Sequence, residues 1–340
     1  MRQLTVVEPG RVEWVEVSDP PLEGSVQALV RPLAVALCDL DHAIVTGAYP
    51  IPPPLALGHE CVAEVLEVGE DVRSVSPGDR VVVPFQISCG ECERCRRGHT
   101  GNCSTVPRLS MYGFGQLGGD WGGLLSDVAR VPYADAMLVP LPDGVDAAAV
   151  ASASDNIVDG WRTVAPPLDR RPGAEVLVIG GGARSIALYA VEIAQALGAS
   201  RVVYVDSDPE RLRTAESLGA EPVQFDDEPP RRAGSFEITV DAGGTRESLA
   251  CALRSTEPLG LCTSVGILLE PETPLPLLEM YTSGVELTIG RPMARPTIPK
   301  VLDLVAAGRI HPERVTSAVT AWDDAAGAVG EAQTKLVVAR

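Results

Sequence analysis

The chain has 340 residues, 45% of them hydrophobic, and a formal net charge of −18 at pH 7. That length exceeds what one compact core usually organises, so two domains are expected, and the negative charge argues against binding nucleic acid or anionic lipid. No apolar run reaches the roughly eighteen residues of a membrane span, and "MRQLTVVEPG" lacks the apolar core of a secretory signal, so a cytoplasmic protein with no nucleic-acid or membrane partner is expected.

Residues 1 to about 150 carry short β-branched runs such as "VQALVRPLAVAL", "CVAEVLEVG" and "DRVVVP", broken by Pro and Gly at close intervals, which predicts a compact all-β unit. Cys38 lies in "ALCDLDH", and His59 with Glu60 in "LGHECVAEV". A thiolate and an imidazole are good zinc ligands, although by residue type alone a lone Cys and a lone His are more often core or surface residues. A catalytic zinc needs a third protein ligand and an open position. Asp155 in "ASASDNIVDGW" is the candidate for the third, and Glu60 for a fourth or exchangeable one.

The segment "CGECERCRRGHTGNC" places Cys89, Cys92, Cys95 and Cys103 within fifteen residues of a chain that holds eight cysteines. In a reducing compartment a disulfide framework is disfavoured, so clustered thiols read first as metal ligands. Four thiolates complete the closed tetrahedral shell of structural zinc, with Arg94, Arg96 and Arg97 easing the negative charge. An iron–sulfur cluster is the other metal option, less favoured because no second cysteine run accompanies it.

From residue 175 the pattern changes. "EVLVIGGGARSIALYAVEIAQALGASRVVYVDSDPERLRTAESLGA" reads as strand, glycine turn, helix, strand ending at Asp206, and a helix opened by Asp208 and Pro209. Gly180 and Gly182 would let the backbone approach a pyrophosphate at the start of a helix, and Asp206 stands where a carboxylate accepts from ribose hydroxyls and repels a 2′-phosphate, so NAD is expected over NADP. Ser185 replaces the third glycine of that fingerprint, a small change at the helix–strand contact. Ala183 and Arg211 complete the cofactor-binding candidates. Further strands at "EITVDA", "GLCTSVG" and "VELTIG" predict a doubly wound sheet, and the last fifty residues, ending in the strand "KLVVA", are too few for a separate core.

"GHECVAEVLEVGEDVRSVSPGDRVVVP" resembles the zinc alcohol dehydrogenase signature of the medium-chain dehydrogenase/reductase family, the cysteine segment resembles that family's structural-zinc lobe, and "VLVIGGG" with "VYVDSDPERL" its cofactor domain. The resemblance covers essentially the whole chain. It implies a GroES-like catalytic β domain at 1–152 with the structural-zinc lobe at 86–106, a Rossmann NAD-binding domain at 153–292, and a segment 293–340 returning to the catalytic domain, with the active site in the cleft between. It implies two zinc ions per chain, one on Cys38, His59 and Asp155 with Glu60 adjacent, one on the four clustered cysteines. Val265 resembles a backbone stretch that meets the nicotinamide carboxamide, Lys335 a basic residue near the pyrophosphate, and Asp41 a residue held for structure. The implied partners are a small-molecule substrate and further copies of the chain in a homodimer or homotetramer. The implied reaction passes a hydride between an alcohol, polarised by zinc, and NAD.

Two departures stand out. Relatives carry Ser or Thr two residues after the zinc cysteine, where a hydroxyl passes the alcohol proton on, and here that residue is Leu40. Asp159 stands where relatives place a threonine. Either the proton leaves through water and Asp39, His42, Asp159 or Glu60, or the substrate is a C=N or C=C bond that needs no such relay. A third possibility is a catalytically silent dinucleotide-binding member. Trp121, Tyr49 and Met111 lie on loops where they would contact ligand or simply pack.

Overall fold

The computed structural model describes residues 1–340. It divides the chain into two units, 1–158 with 292–340, and 159–291. The first boundary falls inside the helix Asn156–Arg170, further along than the expected 152.

The first unit is built on a seven-stranded sheet in the order Ala318–Ala321, Leu336–Ala339, Ala28–Leu37, Glu60–Val68, Arg80–Val83, Val139–Pro140, with Ala129–Val131 also pairing on Ala28–Leu37. A smaller sheet joins Arg11–Glu16, Arg2–Glu8 and Leu55–Ala56. The strand "ALVRPLAVAL" alternates buried with more open residues along its first half, as a half-covered antiparallel strand does, then becomes wholly buried as it nears Cys38. Register matters most here. Ala36 lies opposite Glu60, and Leu336 opposite Leu37. Three strand ends are thereby brought level: Leu37–Cys38, His59–Glu60 and Lys335–Leu336. The C-terminal strand belongs to this unit because its antiparallel partner is the long strand near the N-terminus.

The second unit is a six-stranded parallel sheet in the order Glu221–Gln224, Arg201–Asp206, Glu175–Ile179, Phe236–Asp241, Thr256–Ser264, Glu286–Ile289. The chain starts at the central strand, runs to one edge, then crosses back to fill the other, which leaves a switch point beside Glu175–Ile179. "VLVI" is buried throughout, as a strand covered by helices on both faces must be. The helix Pro209–Ser217 is capped by Asp208, whose side chain accepts from the amides of Glu210 and Arg211 with Pro209 in the first turn.

Candidate metal centres and cofactor turn

Cys38 caps the short helix Asp39–Val45. Its sulfur accepts from the Leu40 amide at 3.3 Å, while the Asp41 carboxylate returns to accept from the Cys38 amide at 2.8 Å. The thiol is therefore fixed in place by its own helix start. His59, immediately ahead of the strand Glu60–Val68, is almost wholly buried, and the rings of Phe85 and Phe114 flank it with centroids 6.0 and 5.2 Å away. Its Nδ1 faces Asp41 Oδ1 at 3.2 Å, and its Nε2 faces Asp155 Oδ2 at 3.4 Å and Glu60 Oε1 at 4.0 Å. Asp155 follows the turn Ala151–Ser154, which is pinned to the sheet where the Cys61 amide donates to Ser154 Oγ at 2.9 Å. One donor atom each from Cys38, His59, Glu60 and Asp155 lies within 4.8 Å of the others.

The electrostatics of this cluster suit a divalent cation. Burial pushes the Cys38 thiol up to about 12, with the Asp41 charge adding to it, so the sulfur becomes a thiolate only when a cation displaces its proton. Burial pulls His59 down, but the charges of Asp41 and Cys38 and the bond to Asp155 outweigh it and hold the imidazole well above its ordinary value. Its Nε2 and the Asp155 and Glu60 carboxylates converge on the point where a metal ion would stand. Burial raises Glu60 in the same way, against the opposing charge of Lys335. Sulfur, imidazole and carboxylate together form a zinc donor set, and Asp41 behind Nδ1 is the outer carboxylate that fixes the tautomer of a ligating histidine. The sequence marks Asp41 only as structural and gives no sign of this contact with His59.

The second cluster is compact as well. Cys89, Cys92, Cys95 and Cys103 are free thiols whose donor atoms all lie within 4.8 Å. The sulfur separations of 3.9 Å for Cys92–Cys103 and 3.6 Å for Cys103–Cys89 match the edge of about 3.8 Å that a zinc–sulfur tetrahedron requires, and are far longer than a disulfide of about 2 Å. Hydrogen bonds from Ser104 lower the Cys92 thiol to about 5.

In the second unit the glycine turn follows Glu175–Ile179 and opens the helix Arg184–Ala196. A Cβ at Gly180 would lie 2.4 Å from Asp206 Oδ2 and 2.4 Å from the Tyr204 hydroxyl, so only glycine lets the carboxylate reach the turn. Gly181 adopts φ 141°, which favours glycine, and Cβ atoms at Gly181 and Gly182 would press on Gly243. This cradle fits a dinucleotide, whose phosphates need close backbone approach. The amides of Gly182 and Ala183 donate to the carbonyls of Gly243 and Ala242 at 2.8 and 2.9 Å, which fixes the turn ahead of the helix start at Arg184. Arg184 draws no attention in the sequence, since it sits in a variable place of the fingerprint. Ser185 is fully buried.

Asp206 has no exposed surface. It accepts from Arg211 Nε at 2.8 Å, Arg211 Nη2 at 2.6 Å, the Asp208 amide at 3.0 Å and the Tyr204 hydroxyl. Val265 follows the strand Thr256–Ser264, is buried, and donates its amide to Asp241 at 2.9 Å. Asp159 is paired with Arg162, which also reaches the Gly290 carbonyl.

Lys335 is placed otherwise than the sequence suggests. It belongs to the first unit and has no exposed surface. Its ammonium is engaged by Glu60, Asn156 and the Leu37 carbonyl. A lysine so enclosed is not the surface cation that a pyrophosphate would meet. The register that sets Leu336 opposite Leu37 is what draws it under the Cys38 cluster. Asp39 and His42, candidates for the proton's route past Leu40, line a water-sized cavity of about 10 Å³ with Cys38, Glu331 and Gln333.

Residues 24–143 match the model of the alcohol dehydrogenase GroES-like domain, and residues 185–307 that of the zinc-binding dehydrogenase. A probable zinc-binding alcohol dehydrogenase of Mycobacterium tuberculosis is 30% identical over 98% of this chain and 86% of its own length. The NADP-dependent isopropanol dehydrogenase of Thermoanaerobacter brockii is 30% identical over 94% of this chain and 92% of its own. Among solved structures, an alcohol dehydrogenase from Thermus sp. ATN1 superposes with a TM-score of 0.91 at 32% identity, covering 100% of this chain and 99% of that one.

Proposed function

The chain belongs to the zinc-dependent medium-chain dehydrogenase/reductase family, alcohol dehydrogenase-like, and from that premise we propose which residues do its work. The protein is a zinc-dependent oxidoreductase that acts on alcohols. In our reading it carries two zinc ions, one on Cys38, His59 and Asp155 with Glu60 adjacent, the other on Cys89, Cys92, Cys95 and Cys103. The observation that carries this is the convergence, within 4.8 Å, of four donor atoms from separate segments of one unit.

Bound zinc supplies Lewis acidity to the substrate oxygen, and bound nicotinamide accepts or returns the hydride. The chain's own residues prepare that chemistry. Asp41 orients the His59 ring, the helix start holds the Cys38 sulfur, and the Phe85 and Phe114 rings keep the imidazole dry. With Leu40 unable to carry a proton, the alcohol's proton leaves through the small cavity beside Cys38, past Asp39 and His42. Asp206 favours NAD, because the Arg211 guanidinium that could hold a 2′-phosphate is occupied by Asp206 and Asp208.

The eight unpaired cysteines fit a reducing, cytoplasmic setting, and no helix is long and apolar enough to cross a membrane. Self-association is supported by the free edge strand Glu286–Ile289 and by Leu277, Leu278, Tyr281 and Ile289, all strongly exposed nearby. Nothing favours reduction of C=N or C=C bonds. The test is nicotinamide absorbance with the zinc-loaded protein against secondary, primary and aromatic alcohols, their carbonyl partners, and imines. Turnover of an alcohol–carbonyl pair is expected, and turnover confined to imines would reject the reading.

A further inference from the structure

Asp241 ends the strand Phe236–Asp241, paired with Ile179 on one side and Ser264 on the other, so the last residues of three neighbouring strands stand level. It is 1% exposed. Its carboxyl has hydrogen-bond donors around it but no cation: Ser264 Oγ donates to Oδ2 at 2.7 Å and the Gly243 amide to Oδ1 at 3.2 Å. Burial raises the carboxyl, and the bonds from Ser264, Ser248 and the Gly243 amide oppose this only in part. An acid buried without a counter-ion is costly where an apolar side chain of similar size is not.

What Asp241 holds is a pair of turns. Gly243 belongs to the turn ahead of the helix Arg246–Ser255, and Ser264 leads into Val265, whose amide donates to the Asp241 carbonyl at 2.9 Å, and Gly266. The two turns touch, since a Cβ at Gly266 would lie 2.8 Å from Gly244 Cα. The first is tied in its turn to the glycine turn, where the Gly182 amide donates to the Gly243 carbonyl at 2.8 Å. A dinucleotide carries a nucleoside on each side of its pyrophosphate. With the pyrophosphate at the glycine turn and one ribose at Asp206, whose strand lies on one side of Glu175–Ile179, the other nucleoside extends over Phe236–Asp241 and Thr256–Ser264 on the opposite side. We propose that Asp241 is a positioning residue that fixes the turns Gly243–Gly244 and Val265–Gly266 for the nicotinamide nucleoside, while the ADP half is held by the glycine turn. The inference rests on the proposed dinucleotide site. It differs from a purely structural role because it separates two ligands that share one half.

Titration calorimetry of the zinc-loaded protein with NADH and with ADP, which shares only the adenosine and pyrophosphate, tests it. Gly180→Ala is the control and is expected to weaken both ligands. If the parent binds neither, or Gly180→Ala spares both, the dinucleotide site itself fails and the proposal with it. With the site established, Asp241→Ala is expected to raise the Kd for NADH about tenfold and to leave that for ADP within about twofold. Ser264→Ala removes one bond and keeps the carboxyl, and is expected to raise the Kd for NADH about threefold with ADP again unchanged. Should Asp241→Ala not accumulate as folded protein, Ser264→Ala carries the test alone. Equal loss of NADH and ADP in these variants, or NADH affinity that does not change, overturns the proposal.

Discussion

Asp206 offers a ribose no free lone pair until Arg211 moves aside, since the guanidinium, the Tyr204 hydroxyl and the Asp208 amide all point at one carboxylate. The same pairing makes cofactor choice testable at a single residue. Asp206→Ala removes the repulsion and frees Arg211 for a 2′-phosphate, so the ratio of kcat/KM for NADP over NAD should rise at least about tenfold. Asp206→Ala combined with Arg211→Ala should forfeit that gain. Equal use of both cofactors by the unmutated protein would contradict the assignment. At this scale the sequence is unevenly legible. Four cysteines in one short segment announce themselves, and so does an acid at the end of the second strand of a βαβ unit. Cys38, His59 and Asp155 share no period or spacing, and only likeness to a family singles them out. Lys335 misleads because a lysine ahead of a terminal strand looks like a surface residue, and nothing local says that its strand will pair beside Cys38.

Elements set the geometry that those residues use. The turn between Glu175–Ile179 and Arg184–Ala196 depends on Gly180, whose missing Cβ is the space that Asp206 and Tyr204 occupy. Gly180→Ala should therefore weaken NADH binding, read by nucleotide fluorescence, by at least about tenfold while zinc content stays the same; unchanged affinity would show that the turn is not the phosphate cradle. A second element-level contact ties the ends of the chain. Asp127 accepts from the Arg2 amide at 2.8 Å and from Arg340 at 3.1 Å. Burial raises its carboxyl, but the bonds from Arg2 and Arg340 outweigh this and hold it below its ordinary value. A carboxyl lowered on folding stabilises above its unfolded value of about 3.9 and ceases to do so as pH falls through the folded value. Urea unfolding should accordingly find Asp127→Asn weaker than the parent at pH 7, with the gap closing as pH falls below the unfolded value. A gap independent of pH would refute this. The βαβ unit is legible because the hydrophobic period switches from two to 3.6 and back within forty or so residues. The order of the seven-stranded sheet is not, since partners such as Val35 and Val338 are joined by a register that no local pattern encodes.

For the molecule as a whole, two folded units can be foreseen from composition shifts, and the family resemblance adds that the C-terminal segment rejoins the first, although the boundary inside a continuous helix cannot be foreseen. Exposure adds what a sequence cannot supply. Tyr281 is 85% exposed and Leu278 76%, beside an unpaired sheet edge, more apolar surface than an isolated chain would be expected to leave in water. Light scattering on the eluting peak should report a homodimer or homotetramer, and Tyr281→Asp with Leu278→Asp should reduce it to a smaller species; a monomeric parent would contradict the self-association. The central claim concerns the metal held by sulfur, imidazole and carboxylate, and zinc analysis of the folded protein tests it most directly. Two zinc ions per chain are predicted for the parent and one for Cys38→Ser or Asp155→Ala, with activity lost by roughly a thousandfold and the fold retained; a variant that keeps both ions would contradict the account.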